Sequence, residues 1–134
     1  MQPMPRIWLG DDGIMRIQCP QDCQLALEDL QDLNRRHREI SCERRPLLVY
    51  AESVAAAEHA AQRFASSEEV VEIVRALAII VRSFFTRALA EVFMKFHKPP
   101  YPTRIFTRED EALVWLEPYC TQSDGANDGQ GKSA

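Results

Sequence analysis

The chain carries four cysteines and three histidines, the side chains best suited to bind metals or to act as nucleophiles. A structural zinc site usually needs one close pair of ligands and a second pair elsewhere. Cys19 and Cys23 loosely fit a first pair, but Cys42 and Cys120 each lack a close partner. The sequence therefore predicts no metal, no cofactor and four reduced thiols, with metal binding and redox sensing by the cysteines as the alternatives.

No set of residues has the pattern of a catalytic site. The histidines fall on different predicted elements, and no nucleophile motif such as Gly-x-Ser-x-Gly accompanies them. No glycine-rich phosphate loop is present either, since most of the five glycines lie near the two ends of the chain. We therefore predict that the protein is not an enzyme.

The best-motivated candidate site lies at the predicted carboxyl ends of two parallel strands. Ligands of open α/β sheets favour this edge, beside helix amino termini with free N–H groups. The chain places hydroxyls, arginines and one carboxylate there, at Glu52, Ser53, Arg82, Ser83, Thr86 and Arg87. These residues predict an anion or partner site. The alternative is helix capping with arginines on the surface.

An aromatic helix predicted over residues 84–96 offers a candidate interface. Its buried stripe follows three- and four-residue steps and comprises Phe85, Ala88, Leu89, Val92, Phe93 and Phe96. Phe84 and Met94 lie off this stripe, so we expect them to be exposed. Exposed apolar groups beside a core helix often mark an interface, which predicts a homodimer. The alternative is that both residues fill the core.

Charge argues against nucleic acid as a partner. The formal net charge is −4, and the basic residues cluster at 35–38 with Arg44 and Arg45. A nucleic-acid reader usually shows a positive charge or interleaved exposed aromatics. We interpret the basic run as the solvated end of a helix, where cations complement the helix dipole. A phosphate-binding patch is the alternative.

Hydrophobic periodicity predicts an α/β fold with a mixed sheet. Turn residues 10–13 separate two short apolar runs and predict an opening β-hairpin, followed by βαβ units with a largely parallel sheet. Asp22 is predicted to cap the first helix and Ser53 the second. The predicted strands are 6–9, 14–18, 47–50, 76–81 and 103–106, and the predicted helices are 24–39, 54–64, a short one from Ser66, 84–96 and a last one opened by Thr107 and Asp110.

At 134 residues the chain has the size of one domain, which we place at residues 1–120. Residues 121–134 hold no large apolar side chain and are predicted to be a disordered tail. The amino terminus shows no signal-peptide pattern, and the longest apolar run is far shorter than a membrane span. We therefore expect a cytoplasmic protein with no membrane span.

Several blocks of the chain resemble the SpoIIAA-like family, the fold of STAS domains, and in particular its uncharacterised bacterial branch. The blocks cover nearly everything except the tail: residues 13–17, 25–29, 45–49, 61–66, 76–79, 98–99, 102–106 and 111–116. The last of these is the most specific. The resemblance implies a non-enzymatic module that binds regulatory kinases, nucleotides or neighbouring domains.

One feature of that family is missing. Anti-sigma-factor antagonists carry a phosphorylated serine in an Asp-Ser-x-Gly context, whereas here Glu52 precedes Ser53 and Val54 follows it. The resemblance therefore favours a helix cap at Ser53 over a phosphorylation switch.

The predicted function is accordingly a regulatory protein-interaction module, with a protein partner or a second copy of the chain. The alternative is a small-ligand or lipid-type carrier or sensor with a pocket between sheet and helices, by analogy with lipid-binding relatives of similar topology.

Overall fold

The computed structural model describes residues 4–51, 54–81, 88 and 100–120. Five strands form the main sheet in the order β1-β2-β4-β6-β7. Only β1 runs antiparallel to its neighbour β2, and the other pairs are parallel. The strands are β1 (Arg6–Leu9), β2 (Met15–Gln18), β4 (Arg45–Tyr50), β6 (Val74–Ile80) and β7 (Thr103–Phe106). The predicted mixed α/β fold with an opening hairpin is confirmed.

A second, two-stranded sheet and four helices complete the described part of the chain. Strand β3 (Cys23–Leu25) pairs in parallel with β5 (Val54–Ala57). The helices are α1 (Leu27–Ile40), α2 (His59–Phe64), α3 (Glu68–Val71) and α4 (Glu109–Cys120). Within the described ranges, no helix is long and apolar enough to cross a membrane.

The opening hairpin is shaped by its turn residues. Gly13 has a φ of 84°, a conformation that glycine adopts without steric cost. Its N–H donates to the carbonyl of Gly10 over 3.0 Å. The Asp12 carboxylate accepts from the Ile14 N–H at 3.1 Å and from the Arg16 guanidinium at 2.9 Å. These bonds fix the register in which β1 meets β2.

The two faces of the sheet bury separate apolar clusters. Alternate residues of a strand point to opposite faces. Leu47 of β4 therefore belongs to the cluster under α1, whereas its neighbour Leu48, which is fully buried, belongs to the cluster under α4. Leu77 and Ala78 of β6 divide in the same way. Both central strands are covered on two sides, which is why they read as continuous apolar runs.

The prediction of a helix over residues 54–64 is wrong in its first third. Residues 54–57 form strand β5, and the helix begins only at His59. Alanine favours helices in isolation, but here pairing with β3 satisfies the backbone groups of this segment. The ladder continues past the strand, where the Glu58 N–H donates to the Leu25 carbonyl at 2.8 Å. Tertiary pairing thus overrides local propensity.

The start of the first helix also differs from the prediction. Residues 23–25 form strand β3, which the sequence did not predict, and α1 begins at Leu27. Asp22 has a φ of 55° and lies before β3, so it is not the helix cap.

The short third helix is preceded by Ser67, one residue later than predicted. The predicted helix 84–96, apart from Ala88, and the predicted tail 121–134 lie outside the described residues.

Helix α1 is capped by a carboxylate from its own first turn. The Asp29 side chain accepts a hydrogen bond from the Ala26 N–H at 2.8 Å, and the Asp29 N–H donates to the Ala26 carbonyl at 3.0 Å. We expect Asp29→Ala to lower the free energy of unfolding by about 1 kcal/mol, the usual cost of losing a cap. Urea denaturation measures the change. Glu28→Ala is the control, since it removes an equal charge from an exposed position of the same turn. Equal losses in both variants would contradict the capping role.

Candidate functional site

A cavity of about 230 Å³ lies between one face of the main sheet and helices α1 to α3. Its walls come from the central strands, from the pair β3 and β5, and from the inner faces of the helices. The lining residues are Ile17, Cys19, Leu25, Leu30, Leu33, Asn34, His37, Leu47, Val49, Ala51, Ala57, Ala61, Gln62, Phe64, Ala65, Val70, Ile73, Val74, Leu77, Ile79, Val81 and Tyr101. Nearly all of these side chains are apolar.

Three of the polar side chains that line the cavity already bond to the protein backbone. The Asn34 amide donates to the Glu69 carbonyl at 3.2 Å, and the Gln62 amide donates to the Ala57 carbonyl at 2.9 Å. The Tyr101 hydroxyl donates to the Ala65 carbonyl at 2.6 Å. Burial raises the pKa of Tyr101, so the hydroxyl stays protonated. These groups brace the walls of the cavity.

His37 is the exception among the polar lining residues. Its side chain is buried, with the residue only 2% exposed, and Nε2 has no hydrogen-bond partner within the described part of the chain. Burial lowers the pKa of His37 to about 4, and the positive charges of Arg38 and Arg45 act in the same direction. The imidazole is therefore neutral at pH 7.

Helix α1 places His37 in the cavity through its periodicity. Leu30, Leu33 and His37 follow one another at three- and four-residue steps, so they share the face that meets the sheet. The Ser41 N–H donates to the His37 carbonyl at 2.9 Å and closes the last turn. Ile40, three residues further along the chain, is 42% exposed. The buried face of α1 thus ends on the histidine.

The cysteines near the cavity are poor nucleophiles. Cys19 and Cys23 are free and buried. Burial raises the pKa of Cys23, and it raises that of Cys19, which lines the cavity, to about 12. Thiols rather than thiolates are present at pH 7, and the thiolate is the reactive form. Within the described ranges, no three His, Cys, Asp or Glu side chains come together as metal ligands do.

Residues 7–120 match the sequence profile of a family described as a domain of unknown function, DUF7793. The chain belongs to the DUF7793 family. No curated protein matches its sequence.

Among solved structures, the DUF7793 chain is similar to an uncharacterised protein of the DUF3478 family from Shewanella loihica PV-4, which is described as having a SpoIIAA-like fold. The TM-score is 0.57 at 16% sequence identity, over 84% of this chain and 91% of the other. At this identity the likeness concerns the fold alone. It shows that the DUF7793 chain has the SpoIIAA-like fold that the sequence resemblance predicted.

The predicted anion or partner site and the predicted interface lie outside the described residues of the DUF7793 domain. This holds for Glu52, Ser53, Arg82, Ser83, Thr86 and Arg87, and for Phe84 and Met94. The residues just before them are described. The Ala51 N–H donates to the Ile80 carbonyl at 2.9 Å, so the carboxyl ends of β4 and β6 are adjacent, and Ala51 and Val81 both line the cavity.

The three arginines of the basic run on α1 pair with carboxylates. Arg35 and Arg36 both contact Asp32, and Arg38 contacts Glu72 at 2.9 Å. Arg38 also donates to the Glu69 carbonyl at 2.7 Å. Such pairs belong to a solvated helix surface, in line with the interpretation of this run as a helix end.

Proposed function

We propose that this domain is a non-enzymatic regulatory binding module, and that it holds a small apolar molecule in the cavity between the sheet and helices α1 to α3. The cavity is the observation that carries the proposal. Ligand sites are typically concave and mostly apolar, with few polar groups that fix orientation. This cavity has that composition, and one of its few polar lining residues is His37, whose buried Nε2 has no partner among the described residues.

The volume indicates how much of a ligand the cavity can enclose. An apolar cavity of about 150 Å³ holds benzene, with its six carbon atoms. By proportion, the 230 Å³ found here suits a molecule of about nine non-hydrogen atoms. A lipid with two long chains is far larger. The cavity therefore suits a fragment-sized molecule, or the fragment-sized part of a larger one.

The position of the cavity supports a regulatory role. Ala51 and Val81 line it, and the residues predicted to bind an anion or a partner follow these two directly in the sequence. A ligand in the cavity would contact the strand ends from which those segments start. A ligand that favours one arrangement of the segments would change affinity for a partner by the same differential free energy. The protein partner, the homodimer and the cytoplasmic location themselves stay predictions of the sequence.

Titration of the full chain with 4-ethyltoluene, a purely apolar molecule of nine non-hydrogen atoms, tests the proposal. We expect saturable binding at one site, with amide chemical-shift changes concentrated in α1, β4 and β6. Native mass spectrometry of protein captured from its host shows whether a natural molecule copurifies. Absence of saturable binding up to the solubility limit of 4-ethyltoluene would contradict the proposal.

A further inference from the structure

We propose that the molecule held in the cavity is uncharged and carries one hydroxyl group, which hydrogen-bonds with Nε2 of His37. This inference rests on the proposed function and names the ligand class of the same site. Three features of the cavity support it: the unpaired imidazole, the absence of ionised side chains from the described walls, and the hydrogen bonds that the other polar side chains already make.

The unpaired imidazole nitrogen would be stabilised by a hydrogen-bond partner. Buried polar atoms in folded proteins are almost always hydrogen-bonded, and an unbonded one retains the full cost of losing its water. His37 lines the cavity, and its buried Nε2 has no partner among the described residues. A ligand atom that bonds to it recovers this cost. Binding through His37 therefore gains more than the same bond made at the protein surface.

A hydroxyl group is the head group that suits this histidine. A neutral imidazole has one nitrogen that donates and one that accepts, and a hydroxyl can do either. The ligand hydroxyl therefore bonds to Nε2 whichever nitrogen carries the proton. A methyl group in the same place would leave Nε2 unpaired.

Charged head groups are disfavoured by the walls. Among the described lining residues no side chain is ionised at pH 7, so a buried carboxylate or ammonium would lose its water without gaining a partner. The two arginines that act on His37 hold other partners. Arg38 pairs with Glu72 at 2.9 Å, and Arg45 pairs with Glu43 at 3.2 Å. Both also disfavour a proton on His37 that could neutralise an anion.

The other polar side chains of the cavity wall indicate a ligand with a single polar group. Asn34, Gln62 and Tyr101 each already donate to a backbone carbonyl. Apolar side chains from the sheet and from α1, such as Leu33, Leu47 and Leu77, form much of the rest of the wall. The ligand is accordingly an apolar body with one hydroxyl at the end that meets α1.

Two ligands of equal size test the inference. 4-Ethylphenol and 4-ethyltoluene each have nine non-hydrogen atoms and differ by a hydroxyl in place of a methyl. The phenol is neutral at pH 7, as a tyrosine side chain is. Both are titrated into the full chain, the His37→Leu variant and the control variant His59→Leu, whose exposed histidine does not line the cavity.

We expect His37→Leu to weaken binding of 4-ethylphenol about threefold to tenfold, which is the range for losing one buried hydrogen bond. Its affinity for 4-ethyltoluene should stay the same or rise, and His59→Leu should change neither affinity. The anion 4-methylbenzoate should bind at least about tenfold more weakly than 4-ethylphenol. In the unmodified protein, 4-ethylphenol but not 4-ethyltoluene should shift the ¹⁵N resonance of His37 Nε2, a readout that needs no variant.

Equal losses for both ligands in His37→Leu, an unmoved Nε2 resonance, or tighter binding of 4-methylbenzoate would each overturn the inference. The apolar ligand separates this failure from failure of the proposed function. If 4-ethyltoluene binds the unmodified protein while the hydroxyl gives no His37-dependent advantage, only the ligand class is wrong. If 4-ethyltoluene does not bind the unmodified protein, both proposals fail.

Discussion

Between pH 7 and pH 4 the protein is expected to lose roughly 3 kcal/mol of its free energy of unfolding through His37 alone. The pKa of His37 is lowered from 6.5 to about 4 in the folded chain. Below pH 6.5 His37 takes up a proton in the unfolded chain but not in the folded chain. The unfolded state therefore gains stability as the pH falls. The loss is complete near pH 4, below which both states are protonated.

The pH window separates this effect from that of the carboxylates. Hydrogen bonds from Arg16 and Arg35 lower the pKa values of Asp12 and Asp32 from 3.8. The stability that these carboxylates contribute is therefore lost only as the pH falls to that value and below. Urea denaturation from pH 7 to pH 4 measures the slope. His37→Leu should remove most of this slope. The same slope in His37→Leu and in the unmodified protein would show that His37 is not buried as a neutral group.

Ala61→Leu is expected to abolish ligand binding while the fold is kept. Ala61 is 1% exposed, belongs to α2 and lines the cavity. Leucine adds three carbon atoms to a space that suits about nine, so a ligand of that size no longer fits. We expect affinity for 4-ethyltoluene to fall more than tenfold, with a melting temperature equal to or above that of the unmodified protein, because filling a cavity adds apolar contacts.

The neighbouring residue provides the matched control. Ala60 lies on the same helix, is half-buried and does not line the cavity. Ala60→Leu should therefore leave the affinity for 4-ethyltoluene unchanged. A fall in melting temperature for Ala61→Leu alone would mean that the space beside α2 is already filled. Unchanged affinity in a folded Ala61→Leu variant would place the ligand elsewhere.

The main sheet could be predicted because its signals are local and agree with its burial. The Gly-Asp-Asp-Gly spacer at 10–13 gave the hairpin, and the continuous apolar run at 47–50 gave a strand covered on both faces. The strand at 103–106 has the predicted bounds. In each case the residue types that favour the element also face the surroundings that the fold provides.

The small sheet could not be predicted from local signals. Strands β3 and β5 are three and four residues long and meet about thirty positions apart in the chain. Residues 54–57 are a valine and three alanines, a composition without a period-two pattern. Their pairing depends on where α1 returns the chain, which is tertiary information.

The cavity was only partly foreseeable. Helical spacing puts His37 on the same stripe as Leu30 and Leu33, a pattern that indicates a buried residue. The small residues Ala61 and Ala65, one helical turn apart, leave space against the sheet, but small side chains can also mark close packing. Whether they leave a void depends on the distance between helix and sheet, which no sequence pattern encodes. Whether Nε2 of His37 finds a hydrogen-bond partner depends on the same distance.

The most direct test is the structure of the full chain crystallised with 4-iodophenol, whose iodine can be located by its anomalous scattering. We expect one iodine position in the cavity bordered by Leu33, Leu47 and Leu77, with the phenol oxygen within about 3.2 Å of His37 Nε2. A cavity filled by the protein's own side chains, with iodine only at the surface, would contradict both proposals.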